Sequence, residues 1–202
     1  MTGNDHINGG KGDDHLLGGN GQANQADGDD ILDGGEGNDI LYGEQGNDLL
    51  KGGKGNDHYY YRAGTGRDTV DNSGGGKDVL FFIDINRNRL SFYQDKKDLV
   101  VLVDNDKNQQ VRVLNHFNGG DSAISLIQPG DGFTMNREAF ETLVKPYPNI
   151  MNDFSVESTG SNVELIIHAV SGFASERGLN TTTVGTYSTT AEIHHAITVN
   201  LG

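Results

Sequence analysis

The sequence predicts an all-β chain: a stack of nine-residue repeats closed by a β-rich cap, with a short, partly helical C-terminal tail. Three observations lead there. Gly-Asn-Asp recurs at 37–39, 46–48 and 55–57, each time followed two residues on by Leu41, Leu50 or Tyr59. Glycine is concentrated in the first 80 residues, which hold 21 of the 30. Beyond them the chain turns to short alternating apolar segments such as "RLSFYQ" and "QVRVLNHF".

Written as G-G-x-G-x-D-x-U-x, with U a large apolar residue, the repeat runs through most of residues 1–80. Position six is Asp5, Asp14, Asp30, Asp39, Asp48, Asp57, Asp68 and Asp78; position eight is Ile7, Leu16, Leu32, Leu41, Leu50, Tyr59, Val70 and Leu80. One such unit cannot bury its single apolar residue alone, so the units must stack. The x-U-x triplet reads as a three-residue strand with U turned inward, and the Gly-rich residues as a turn whose carbonyls stay uncovered.

Charge says what those turns attract. The chain carries 15 Lys and Arg against 29 Asp and Glu, a formal net charge of −14, and residues 1–80 account for −9 of it. Nucleic acid and anionic membranes are poor partners for such a surface, whereas divalent cations are its natural counter-charge. Calcium takes six to eight oxygens from carboxylates and carbonyls, and two adjacent turns offer both kinds. There is no Cys, which excludes disulfides and thiolate metal sites. The longest apolar runs, "VLFFI" and "LVVLV", are too short to span a bilayer, and no N-terminal signal peptide is visible. The chain enters the repeat at its middle, the pattern expected of a fragment of a longer protein.

This repeat resembles that of the RTX (repeats-in-toxin) family of calcium-binding proteins. The resemblance implies a right-handed parallel β-roll with two repeats per coil and calcium between turns one coil apart. It also implies ligands: carbonyls two and four with Asp six of one turn, and carbonyls one and three with Asp six of the next. Carried over, Ala26, Gly28 and Asp30 face Gly43, Gln45 and Asp48, while Gly35, Gly37 and Asp39 face Gly52, Lys54 and Asp57. Glu44, Gly46 and Asp48 face Ala63, Thr65 and Asp68, and Gly53, Gly55 and Asp57 face Ser73, Gly75 and Asp78. The pattern breaks at "GGNGQANQADGDD" (18–30), where Ala23 stands for Asp and Gln25 for U. One liganding turn is expected to be lost there, which leaves the partners of Asp5 and Asp14 open.

From Gly52 to about Val144 the order of motifs is similar to the last RTX block of adenylate-cyclase haemolysin toxins, and to related blocks of other type I-secreted proteins. That block carries two tryptophans in its cap. Here the matching positions are Ser91 and His116, and the chain has no Trp.

Three domains are expected: a calcium-binding roll over 1–80, a capping region over 81–145 and a tail over 146–202. In the cap, "RLSFYQ", "DLVVLV", "QVRVLNHF" and "AISLIQ" read as strands of an antiparallel sheet with one covered face. Polar turns "DKK", "DNDKNQ" and "NGGD" join them. A helix follows, capped by Asn136, with Phe140, Leu143 and Val144 on one face. In the tail, Ser161 with Glu164 and Thr189 with Glu192 read as capping boxes of amphipathic helices, the first carrying Val163, Ile166, Ile167 and Val170. Such a tail resembles the uncleaved signal of type I secretion.

Other candidate motifs dissolve on inspection. Asp104, Asp106 and Asn108, like Asp84, Asn86 and Asn88, imitate an EF-hand start but lack its glycine and its final Glu, so both read as polar turns. His6, His15 and His58 follow a position-six Asp, where side chains face solvent. His194 and His195 are adjacent and cannot share a helix face. No catalytic constellation appears, so an enzyme is not expected. The sequence therefore points to a secreted or cell-surface, calcium-dependent folding and export module at the C-terminus of a larger bacterial toxin or exoprotein. Its expected partner is the type I secretion apparatus. The competing reading is an adhesin or polymer-binding module with a host-cell or surface ligand, for which the only aromatic candidates are Tyr59, Tyr60 and Tyr61, with Tyr59 expected in the core.

Overall fold

The computed structural model describes residues 2–20 and 27–147, together with the backbone of three short strands beyond them. Residues 1–147 form one compact unit and 148–202 another.

In the first unit the repeats wind into parallel coils. Strands β1 (His6–Lys11), β3 (Ile31–Glu36), β5 (Leu49–Lys54) and β7 (Arg67–Asp71) pair in parallel along one side. Strands β2 (His15–Leu17), β4 (Ile40–Tyr42), β6 (His58–Tyr61) and β8 (Val79–Phe82) do so along the other. This is the parallel β-roll expected of stacked repeats. The position-eight side chains form two inward ladders in register. Ile7, Leu32, Leu50 and Val70 are successive partners in one sheet, and Leu16, Leu41, Tyr59 and Leu80 in the other. All but Ile7, at the open end, are at most 7 % exposed.

The strands are not all three residues long. Pairing in β1, β3 and β5 continues through two glycines to the third turn residue, because Gly10, Gly35 and Gly53 hold φ of 98°, 104° and 93° without steric cost. The opposite turns carry the insertion described below or Glu44, a non-glycine held at φ 67°, and their strands stay short.

The cap prolongs both ladders. Strand β9 (Leu90–Asp95), β10 (Asp98–Val103) and β11 (Asp106–Val113) form an antiparallel meander, and β11 adds in parallel to β7 so that Val113 follows Val70. Strand β12 (Leu126–Pro129) adds in parallel to β8 so that Ile127 follows Leu80. Strand β13 (Met135–Asn136) pairs with β12, and β14 (Lys145–Pro146) with β9.

Several expectations for the cap need correction. The turn read as "DNDKNQ" is only Asp104–Asn105, both at positive φ, and β11 already begins at Asp106, its register shifted by a bulge at Val103. "NHF" is not strand: Asn115 adopts φ 55° and a 3-10 turn follows over His116–Asn118. The meander is not covered on one face alone, since Leu99 to Val103 are all at most 1 % exposed. The helix α1 (Arg137–Glu141) is capped by Asn136, which accepts the Ala139 N–H at 2.9 Å. Phe140 is fully buried, but the helix ends before Leu143, which is 52 % exposed and shares no face with it.

In the second unit, β15 (Phe154–Thr159) pairs antiparallel with β16 (Asn162–Ile167), and β16 with β17 (Thr186–Tyr187). The segment expected to open an amphipathic helix is thus strand. Val163, Leu165 and Ile167 also satisfy a period of two, and Gly160-Ser161 between two apolar runs is a hairpin signal that the capping-box reading overrode. Residues 168–185 and 188–202, with the second capping box and the paired histidines, lie outside the described residues.

Candidate metal centres along the turns

The turns stack into two columns. Asp5, Asp30, Asp48 and Asp68 stand on one side of the roll, and Asp14, Asp39, Asp57 and Asp78 on the other. One carboxylate oxygen of each later Asp is consumed by the stack. The Asp30 N–H donates to Asp48 Oδ1 at 2.8 Å, Asp39 to Asp57 at 2.9 Å, Asp48 to Asp68 at 3.2 Å and Asp57 to Asp78 at 2.8 Å. Asp5 and Asp14, whose partners the sequence left open, donate likewise to Asp30 and Asp39 at 2.7 and 2.8 Å.

The second oxygen is left without a partner. Oδ2 of Asp5, Asp14, Asp30, Asp39, Asp48 and Asp57 is buried with no hydrogen-bond partner. An unsatisfied buried carboxylate oxygen is costly, and a column of them more so. Burial is the largest effect on the acidity of Asp48 and Asp57. It raises Asp48 to about 7 and Asp57 to about 6, against the N–H bonds from Asp30 and Asp39 that pull the other way. Burial likewise raises Asp30, Asp39, Asp68 and Asp78.

Three of the free oxygens, those of Asp14, Asp30 and Asp39, face carbonyls across a hollow that only glycine leaves open. A Cβ on Gly34 would strike Asp39 Oδ2 and the Gly52 carbonyl oxygen; one on Gly18 would strike Asp30 Oδ2 and the Gly43 carbonyl oxygen. Gly9 stands in the same relation to Asp14 Oδ2 and the Gly34 carbonyl oxygen, at 2.6 and 2.8 Å. Among the described residues no three His, Asp or Glu side chains converge to hold an ion by themselves. The donors on offer are instead carboxylate oxygens with backbone carbonyls, the hard-oxygen set that calcium prefers. The residues fit the ion.

Residues 1–22 and 26–59 match the RTX calcium-binding nonapeptide repeat, in four copies. The matched coils of the roll are RTX repeats. Such repeats bind calcium and are typical of secreted bacterial proteins. No curated protein matches the chain. Among the described residues no helix is long and apolar enough to cross a membrane.

The RTX register is resolved where the sequence was irregular. The step from Asp5 to Asp30 is 25 residues, seven more than the 18 between Asp30 and Asp48. Gly18 donates its N–H to Tyr42 O at 2.9 Å, a Cβ on Gly19 would meet that of Glu44, and Gly28 donates to Gln45 O at 3.3 Å. Gly18 and Gly19 are therefore positions one and two of the turn ending in Asp30, and Asp27 is position three. Residues 20–26 fall in sequence between positions two and three of that turn. Position two thus belongs to Gly19; Ala26, to which the sequence reading assigned it, lies outside the described residues.

The remaining candidate residues are placed as follows. The carbonyls of Lys54, Thr65 and Gly75 accept N–H bonds from Gly37, Gly46 and Gly55 at 2.9, 2.8 and 3.2 Å, each keeping a second lone pair. The Gly28, Gly37, Gly46 and Gly55 carbonyls lie against the position-four glycine one coil on. The Gly35 carbonyl likewise lies against Gly53, and the Gly53 carbonyl against Gly74. Ala63 donates its N–H to Asp84 at 3.0 Å, and Ser73 to Asp71 at 3.2 Å. Near the cap the turn is closed by protein groups. Tyr59 Oη accepts the Gly52 N–H at 3.0 Å and donates to Asn72 Oδ1 at 2.8 Å, and Asn72 Nδ2 donates to Asp78 Oδ2 at 2.8 Å.

Sequence reasoning missed position five. Asp29 N–H donates to Asn4 Oδ1 at 3.0 Å, Asn47 to Asp29 at 2.8 Å, Asn38 to Asp13 at 2.7 Å and Asn56 to Asn38 at 2.9 Å. The signal was the Asn or Asp that precedes six of the eight position-six Asp residues, all but Asp68 and Asp78. As for the EF-hand decoys, Asp104 is held by Arg89 at 2.6 Å and Asp106 accepts the Asn108 N–H at 2.8 Å. The aromatic candidates are largely withdrawn from the surface: Tyr59 and Tyr61 are buried, and Tyr60 stacks on Tyr42 and Phe81 with centroids 4.4 and 4.6 Å apart.

Proposed function

We propose that the chain is a calcium-dependent folding and export module of a secreted bacterial protein. The observation that carries this reading is the set of six buried, partnerless Asp Oδ2 atoms in the two columns, with those of Asp14, Asp30 and Asp39 beside a backbone carbonyl of the next coil. Without a cation these oxygens and the charge of the repeat region oppose closure; with calcium they become ligands, so binding free energy is folding free energy.

Asp30 and Asp48, with the Gly28, Gly43 and Gln45 carbonyls, hold one ion. Asp39 and Asp57, with those of Gly35, Gly37, Gly52 and Lys54, hold the next. Asp48 and Asp68 repeat the arrangement with Glu44, Gly46, Ala63 and Thr65. Asp57 and Asp78, with Gly53, Gly55, Ser73 and Gly75, form a weaker pair, because Asn72 already serves Asp78. The chain stays unfolded where free calcium is low and so can be threaded through a type I secretion duct. It folds outside, where calcium is abundant. The tail 146–202 serves as the export signal and the cap 81–145 as the folding support.

Far-UV circular dichroism in EDTA and then in about 5 mM calcium, the scale of extracellular calcium modules, tests this. A largely disordered spectrum should become β-rich with calcium and much less so with magnesium, which demands tighter octahedral geometry. A spectrum indifferent to calcium would overturn it.

A further inference from the structure

The insertion over 20–26 leaves a mark on the turn it interrupts. In the neighbouring coils, position three is Lys11, Glu36, Gln45, Lys54 or Thr65. Lys11, Glu36 and Lys54 are exposed and pair with one another across the surface, Glu36 bridging the two lysines at 3.0 and 3.3 Å, while Thr65 spends its hydroxyl on the Arg62 carbonyl. Asp27 behaves differently. It is 8 % exposed, and its Oδ1 is buried without a hydrogen-bond partner. Its Oδ2 lies against Gly19, beside the hollow at Gly18 where Asp30 Oδ2 meets the Gly43 carbonyl. The proximity is felt electrically, since the Asp27 charge disfavours ionisation of both Asp30 and Asp48.

A carboxylate this buried, with an idle oxygen and two carboxylates nearby, has no protein group to balance it among the contacts described. We propose that the Asp27 side chain is a further calcium ligand at the turn pair of Asp30 and Asp48, a buried acidic oxygen where Glu36, the acidic residue at position three of a regular repeat, turns outward to lysines. The interrupted turn is then the most acidic of the cation sites, not a lost one. Calcium affinity in oxygen sites rises with the number of charged ligands, so this turn fills ahead of its neighbours.

The inference rests on the calcium-binding reading above, and the test separates the two. The full chain, Asp27→Asn and Asp29→Asn are titrated with calcium by calorimetry and by far-UV dichroism. Asp29 is the control: it loses the same charge two residues away, and Asn already fills the equivalent ladder position at 38, 47 and 56. Asp27→Asn should weaken one site by about tenfold or more, raise the calcium midpoint of folding and still reach the wild-type spectrum at high calcium. Asp29→Asn should change little. If Asp27 were merely an unfavourably buried acid, Asn would relieve it and the midpoint would fall, which overturns the proposal. So would equal effects in the two variants, or failure of Asp27→Asn to fold at saturating calcium. A wild-type chain that bound no calcium would instead remove the underlying reading.

Discussion

Asp48 divides its carboxylate between two tasks: Oδ1 accepts the Asp30 N–H at 2.8 Å, while Oδ2 is buried with no protein partner. The first oxygen fixes the distance between coils, and the second is left for a cation. The Asp48 backbone N–H in turn donates to Asp68 Oδ1 at 3.2 Å, so Asp48 couples three turns.

Asp48→Ala should therefore weaken calcium-induced folding more than Asp5→Ala, which has a neighbouring coil on one side only. The expected difference is about tenfold or more in the calcium midpoint, as for loss of a charged ligand. Calorimetric titration of both variants measures it, and equal losses would refute the coupling.

Acid should partly replace calcium. Asp48 and Asp57 have their acid forms favoured by burial, up to about 7 and about 6, while in the unfolded chain both sit near the usual 3.8. A raised folded pKa means that folding takes up protons. The penalty is full above about 7, shrinks as the pH falls through 7 and 6, and is gone below about 4. In EDTA, β structure should rise on lowering the pH from 8 toward 5, whereas Asp48→Asn should show a smaller rise.

His116 works in the opposite direction. It is fully buried, accepts the Ile124 N–H at Nδ1 (3.2 Å) and faces Glu141 through Nε2 (3.2 Å), with Arg137 bonded to the same carboxylate. Burial holds it down at about 4, against 6.5 unfolded. A depressed pKa contributes stability above about 6.5 that is lost as the pH falls toward 4, on the order of 3 kcal/mol at most. With calcium saturating, His116→Gln should flatten the loss of thermal stability between pH 6.5 and 4.

The position-four glycines are required twice over. Gly55 holds φ 132°, and a Cβ there would strike the Gly37 carbonyl oxygen one coil away; Gly64, at position two of its turn, holds φ 81° with nothing within 4 Å. Gly64→Ala therefore reports the dihedral cost alone, about 1–2 kcal/mol. Gly55→Ala adds a backbone collision and should cost distinctly more, read as the shift in melting temperature at fixed calcium.

The cap should be needed for folding. Val70 and Leu80 lie below Val113 and Ile127 in the two ladders, so a chain ending at Leu80 exposes both. Such a chain should stay disordered at calcium concentrations that fold the full chain, and restoring residues 81–145 should rescue it. Equal calcium midpoints by far-UV dichroism would show that the cap has no such role.

The repeat, its inward residue and its aspartate columns were legible in the order of residues alone. One apolar residue in nine, with glycine at a constant offset, leaves the chain only one way to bury Leu32, Leu41 and Leu50 together. That order could not determine which turn the irregular 18–30 stretch builds, because the bonds that settle it join residues 17 to 25 apart and depend on the neighbouring coils. The same holds for the Tyr59–Asn72–Asp78 network, the position-five ladder and the burial of His116, each made by groups remote in sequence. At 162–167 the apolar residues admit a helical stripe through Val163, Ile166 and Ile167 or a strand face of Val163, Leu165 and Ile167, and only pairing with β15 and β17 decided between them. Local chemistry set what each turn carries; the stacking of coils set which oxygen is left over.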